Sequence, residues 1–183
     1  MGARPDNRGV TAYLNADEFK AMFAAFEIEA FRFEAQRDYP LGPGQEDFNR
    51  FLAGTPTPPT EYGWLRPWLE ELGQFGRAGK RISRVRVLDE PMTDYQRWTL
   101  WGAPWMERAG EHIMCMTRSA ALQAGLPKHD WWLFDDSWVV EMHFAQGKVG
   151  DLMLVSGTQA VDSYRALRHA ALLSATTVAS ASA

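Results

Sequence analysis

The sequence predicts an α+β fold in which N-terminal helices pack on a mostly antiparallel C-terminal sheet and a final helix closes the chain. Three observations carry that expectation. Apolar residues recur at helical spacing through residues 15–79. From residue 80 onward, short runs alternate apolar and polar with the period of two that belongs to strands. Helical and strand runs are segregated along the chain, with no internal repeat, which is the α+β pattern and not the alternating α/β one. The 183 residues suit one domain, and 46% hydrophobic with 23% charged residues is a globular composition.

Each element can be justified in turn. Residues 1–14 have Gly, Pro, Asp and Asn without an apolar period and read as a flexible arm. Asn15-Ala16-Asp17-Glu18 then has the form of a capping box. Phe19, Met22, Phe23, Phe26, Ala30 and Phe33 follow on one face of a long first helix. Pro40, Gly42, Pro43 and Gly44 break it. A short amphipathic stretch over Glu46 to Leu52 ends at Gly54, and Thr55-Pro56-Thr57-Pro58-Pro59-Thr60 is a stiff connector. Trp64 and Trp68, at i and i+4, open a second helix over 64–78 with Pro67 in its first turn. Arg81 to Leu88 alternates as a strand, with Val85 and Val87 on one side and Arg84 and Arg86 on the other. Thr93 to Trp105 is helical, ended or kinked at Gly102-Ala103-Pro104. Strand candidates follow at 111–117, 130–135, 138–145 and 149–155, the last two joined by a turn at Gln146-Gly147-Lys148. Val161, Tyr164, Leu167 and Leu172 mark the closing helix, and residues 175–183 are a small-residue flexible tail. The expectation is one domain over 15–174, with a helical half at 15–79 and a sheet half at 80–174.

Composition narrows the function classes. A net charge of −4 argues against direct nucleic-acid binding, which needs a basic excess. Cys115 is the only cysteine, which rules out an internal disulfide or a thiolate zinc cage and points to a reducing cytoplasm. In Glu111 to Met116 it reads as a buried structural thiol. No run reaches the length of a membrane span, and the N-terminus lacks the apolar centre of a secretion signal. His112, His129, His143 and His169 have no metal-ligand spacing, so no metal is expected. No phosphate loop, dinucleotide fingerprint, Gly-x-Ser-x-Gly or His-Glu-x-x-His occurs, so no cofactor is expected either.

The densest chemistry lies in Asp130 to Phe144. Read as two strands around an Asp135-Asp136-Ser137 turn, it sets Trp132, Phe134 and Trp138 beside several ionisable groups. Glu141 and His143, two apart on a strand, project together. They form either a proton-transfer pair or two solvated residues on the wet face of the sheet. Arg84 and Arg86, followed by Glu90, Asp94, Tyr95 and Arg97, form either a polar floor that grips an anion or an ion-pair network at a strand-to-helix corner. Eight Trp in this length add to the case for an aromatic-walled pocket.

The blocks Phe19–Phe33, Phe51-Leu52-Ala53-Gly54, Arg84-Val85-Arg86-Val87 with Glu90-Pro91-x-x-Asp94-Tyr95, Gly125-Leu126-Pro127 and Trp132-Leu133-Phe134-Asp135-Asp136 together resemble an uncharacterised actinobacterial family. Its members have no assigned activity and are often encoded near helix-turn-helix regulators. The resemblance spans roughly 17–172, and Trp-Leu-Phe-Asp-Asp is its most specific part. Trp98-Thr99-Leu100 departs from the family's aromatic-Glu-Leu. The run from His112 through Leu122-Gln123-Ala124-Gly125 to Phe134, and then Tyr164-Arg165-Ala166-Leu167-Arg168-x-Ala170-Ala171-Leu172, is more weakly similar to the C-terminal effector domain of those regulators. That resemblance implies a sensing or partner-binding module without a DNA-reading helix pair.

Two readings follow. In the first, the chain is a cytoplasmic regulatory or accessory protein binding a small molecule or a helix-turn-helix regulator. Arg84, Arg86, Asp94, Trp132, Phe134 and Trp138 would then form its site, and a homodimer stays open. In the second, it is a small cofactor-independent enzyme of specialised metabolism, an isomerase, cyclase or hydrolase, with Glu141, His143, Asp135 and Tyr95 as proton carriers.

Overall fold

The computed structural model describes residues 10–145 and 148–181. It is α+β, with helices on both sides of one eight-stranded sheet. In chain order the strands are β1 (Val10–Tyr13), β2 (Glu29–Glu34), β3 (Arg81–Leu88), β4 (Glu111–Thr117), β5 (Asp130–Phe134), β6 (Trp138–Ala145), β7 (Lys148–Val155) and β8 (Thr176–Thr177). The helices are α1 (Ala16–Ala25), α2 (Gln45–Leu52), α3 (Arg66–Arg77), α4 (Asp94–Ala109), α5 (Arg118–Gln123), α6 (Thr158–Ser174) and α7 (Val178–Ala181). The sheet order is β1-β7-β6-β5-β2-β3-β4-β8. β2, β3 and β4 run parallel to one another, and every other pairing is antiparallel.

The first helix is shorter than its apolar spacing suggests. Its capping box forms as expected, the Glu18 N–H donating to Asn15 Oδ1 at 2.9 Å and the Asn15 N–H to Glu18 Oε2 at 2.8 Å. It nevertheless stops at Ala25, and residues 29–34 are a central strand. The cause is a residue far along the chain. Asp135 accepts the N–H groups of Glu27 and Ile28 at 2.7 Å and of Glu29 at 3.0 Å, turning the backbone out of the helix. Asp135 and Asp136 are both left-handed, at φ 51° and 53°, the requirement of a type I′ hairpin turn that Asp tolerates. Asp135→Ala is expected to lower unfolding stability by about 2 kcal/mol, because charge-assisted bonds are lost and Ala is strained at positive φ. A urea midpoint unchanged from the parent would show that the turn forms without the carboxylate.

Other differences are local. Residues 10–13 of the expected arm pair with β7, while residues 1–9 lie outside the described residues. Thr176–Thr177 pairs with β4 and Val178 is buried beside Ile113 and Cys115, so the expected tail is docked as far as 178. Helix α4 runs through Pro104 to Ala109 with Ala103 fully buried. Packing holds it there although Pro104 has no N–H to give the preceding turn. At the β6–β7 turn, Gln146 and Gly147 lie outside the described residues.

Helices pack on both faces of the sheet at its centre, while Tyr13, Trp138 and Val149 toward the β1 edge are exposed. On one side α5 and α6 bury Phe31, Phe33, Val85, Val87, Trp131, Leu133 and Val139. On the other, α1 and α3 cover Ala30, Ile82, Trp132, Phe134, Val140 and Met142, while α4 and α7 cover Ile113 and Cys115. Burial raises the Cys115 thiol to about 11, leaving it inert at neutral pH.

Candidate functional site

The parallel strands β2, β3 and β4 lay charged side chains side by side on the face beneath α1, α3 and α4. Register sets Arg32 beside Arg84 and Glu34 beside Arg86. Two adjacent guanidiniums would repel, but Glu34, two residues from Arg32 on the same face, bridges them. Glu34 accepts from Arg84 Nη1, lies 3.3 Å from Arg32 Nη2 and accepts from Arg86 Nε at 2.8 Å. Arg84 Nε also donates to Glu111 Oε1 at 2.8 Å. Arg32 Nη2 reaches Asp130 Oδ2 at 3.2 Å, and Asp130 further accepts from the Ala35 N–H at 2.8 Å and the Tyr39 hydroxyl at 2.6 Å. Glu34, Arg84, Glu111 and Asp130 are all buried. This is a fixed ionic floor.

The electrostatics follow from that packing. Burial alone would raise the Glu34 carboxyl, but Arg84, Arg32 and Arg86 outweigh it and hold the group well below the usual carboxylate range. Burial and the neighbouring Glu34 raise the Tyr95 phenol, so it stays protonated near neutral pH. Burial, Glu34 and Asp130 likewise raise Tyr39.

Above the floor is a partly open cavity of about 480 Å³ lined by nine aromatic side chains. Phe19 and Phe23 come from α1, Trp68 from α3, Tyr95 and Trp98 from α4, and Trp132 from β5. The Arg32 guanidinium lies 5.5 Å from the Trp132 ring and 5.6 Å from the Tyr39 ring, within cation–π range of both. Tyr62 and Trp64, stacked at 5.9 Å, reach in from the connector before α3. Trp64 is anchored by its indole N–H to Asp47 Oδ2 at 2.8 Å. A Cβ at Gly44 would sit 3.0 Å from the Trp64 ring, so that glycine is what lets the indole close down. Three polar groups of the lining residues, Arg32 Nε, the Tyr62 hydroxyl and Trp132 Nε1, are buried with no hydrogen-bond partner among the described residues. Such orphans are uncommon because each forfeits its hydration.

The residues singled out in the sequence divide among several places. Arg84, Arg86, Trp132 and Tyr95 line the cavity. Phe134 stacks behind Trp132 at 5.7 Å in the core. Asp94 lines a neighbouring cleft that shares the Tyr39 and Tyr95 walls, and it pairs with Arg97. Trp138, at the start of β6, is 44% exposed beside the turn and away from the cavity.

Glu141 and His143 share a face and bond at 2.9 Å, but that face is the α6 side of the sheet. The Tyr164 hydroxyl of α6 donates to Glu141, and His129 Nε2 lies 3.1 Å from that hydroxyl. Burial raises the Glu141 carboxyl, and the bonds from Tyr164 and His143 more than offset it, so it is held low. Asp135 is occupied with backbone N–H groups. The four proposed proton carriers are therefore not brought together: only Tyr95 reaches the cavity. Among the described residues no group of three or more His, Cys, Asp or Glu is placed to hold a metal ion, and no helix is long and apolar enough to cross a membrane.

Arg32, Glu34, Tyr39, Glu111 and Asp130 belong to the site and were not singled out in the sequence. The signal available was Phe31-Arg32-Phe33-Glu34, in which two aromatic and two charged residues alternate as on a strand. Residues 17–180 match the model of a family described as a domain of unknown function (DUF6879). No curated protein matches the chain.

Proposed function

We propose that this chain, which belongs to the DUF6879 family, binds a small organic molecule in the cavity between the sheet and helices α1, α3 and α4. Through that binding it would act as a regulatory or accessory protein of the cytoplasm. One observation carries the reading: an aromatic-walled space of about 480 Å³ set on a rigid charged floor. Small-molecule sites have this build, apolar walls for affinity and a few fixed polar groups for orientation. The floor is held in place by its own ion pairs and needs no rearrangement to receive a ligand. A helix-turn-helix regulator as the protein partner is supported by the sequence similarity to effector domains and by the acidic net charge.

Native mass spectrometry of the protein purified from its own host tests this. The expected result is an added small-molecule mass that disappears on denaturation and is absent from Thr99→Trp, which fills the cavity from α4. Protein without any added mass would overturn the ligand reading. A bound helix-turn-helix protein without a small molecule would transfer the function to the partner.

A further inference from the structure

We infer that the cavity takes an uncharged, planar aromatic molecule, its ring lying between two aromatic walls and over a floor whose charges are already matched. This rests on the ligand-binding reading above and names the chemical class of the ligand.

The walls are two separate groups of rings. In the first, Phe23 of α1 meets Trp68 edge-on at 5.7 Å, Trp132 at 4.9 Å and Phe19 at 5.4 Å. In the second, Trp98 of α4 lies 6.0 Å from Tyr95 and 6.3 Å from Tyr62, which stacks on Trp64. Both groups line the same space, and among the described residues no ring of one is in contact with a ring of the other. The cavity therefore separates them. A flat ring placed there gains stacked or edge-to-face contact with both walls, which neither wall obtains from the other.

The floor decides the charge. Its three guanidiniums, Arg32, Arg84 and Arg86, are matched by three carboxylates, Glu34, Glu111 and Asp130. All six are paired: Arg32 with Glu34 and Asp130, Arg84 with Glu34 and Glu111, Arg86 with Glu34. Among the described residues no other charged side chain lines the cavity. Tyr39 and Tyr95, raised by burial and by Glu34, stay neutral as well. An anionic ligand would have to draw a guanidinium away from a buried carboxylate, and a cationic ligand a carboxylate away from a guanidinium. Either exchange leaves a buried charge without its partner, which is costly. An uncharged ligand leaves the pairs intact and exchanges only wall hydration for ring contact.

Isothermal titration of the full chain with four probes tests this: 2-naphthamide, 2-naphthoate, 2-naphthylmethylammonium and the saturated decahydronaphthalene-2-carboxamide. 2-Naphthamide is expected to bind roughly tenfold or more tightly than either ion, because each ion must disturb a buried pair. It should bind about fivefold more tightly than the saturated amide, which fills the space without a π-face. Thr99→Trp should abolish its binding, and Trp64→Leu, at a partly exposed wall, should weaken it about fivefold. Either ion binding as tightly as 2-naphthamide would overturn the uncharged assignment, and equal affinity for the saturated amide would overturn the aromatic one. Undiminished binding to both variants would put the ring outside the cavity and overturn the inference. So would failure of every probe to bind more tightly than about 1 mM. The ligand-binding reading stands or falls separately, by the mass that co-purifies from the host.

Discussion

Glu34→Ala is expected to lower the unfolding free energy by about 3–5 kcal/mol, the usual loss when one partner of a buried ionic network is removed. The magnitude follows from how many charges one carboxylate serves. Glu34 is 4% exposed and contacts Arg32, Arg84 and Arg86 together. Without it, Arg84 keeps Glu111 and Arg32 keeps Asp130, but Arg86 loses its carboxylate and the neighbouring guanidiniums repel. Arg86→Met removes one of three cations from a carboxylate that keeps two, and should cost about 1–2 kcal/mol. Urea unfolding at neutral pH separates the cases; equal losses in both variants would show that the network is solvated and not shared. The pH dependence has a definite sign. Because the folded-state pKa of Glu34 is depressed, its contribution is complete above the unfolded value of about 4.3 and is lost as pH falls from there. The native chain should lose stability steadily in acid, and Glu34→Ala should lose less over the same range. Some slope will remain, since Asp89, Asp135 and Glu141 are also held below their ordinary values.

Much of the fold was legible locally, and the unread part has one physical origin. β3 alternates, and β4 and β6 are short apolar-rich runs bounded by Gly or Asp, so local pattern located all three. β2 was hidden because Phe23, Phe26, Ala30 and Phe33 satisfy the helical period as well as Phe31 and Phe33 satisfy the strand period. No Gly or Pro lies between Glu18 and Tyr39 to mark a break. The deciding interaction is the Asp135 carboxylate, more than a hundred residues away, and no local rule supplies it.

The same contrast governs the site. That Arg84 and Arg86 share a face follows from alternation. What they face, Glu34, follows from the parallel pairing of β2 and β3. That Glu141 and His143 project together was likewise readable, whereas the packing of α6 over that face was not. β1 and β8 are short edge strands defined by their partners more than by their own residues.

Trp131→Ala is expected to be about as damaging as loss of Glu34, at about 3–5 kcal/mol, for a different reason. Trp131 is fully buried at the centre of the α6 side of the sheet. It lies 5.2 Å from Phe31, stacks on Phe33 at 5.8 Å and meets Tyr164 of α6 edge-on at 5.1 Å. Truncation leaves a large void between β2, β5 and α6, and a well-packed interior recovers little of it by relaxation. Its indole N–H has no hydrogen-bond partner among the described residues, so Trp131→Phe removes a poorly solvated donor together with part of the ring. Those effects oppose each other, and Trp131→Phe should cost about 1–2 kcal/mol. Tyr164 rests against Trp131 and gives its hydroxyl to Glu141, so the void should also loosen the seat of α6. Amide exchange of α6 should then accelerate more than that of α4, which packs on the opposite face. Uniform acceleration of both helices would mean that the two sides of the sheet unfold as one unit, and that the cavity face depends on Trp131 as closely as the α6 face does.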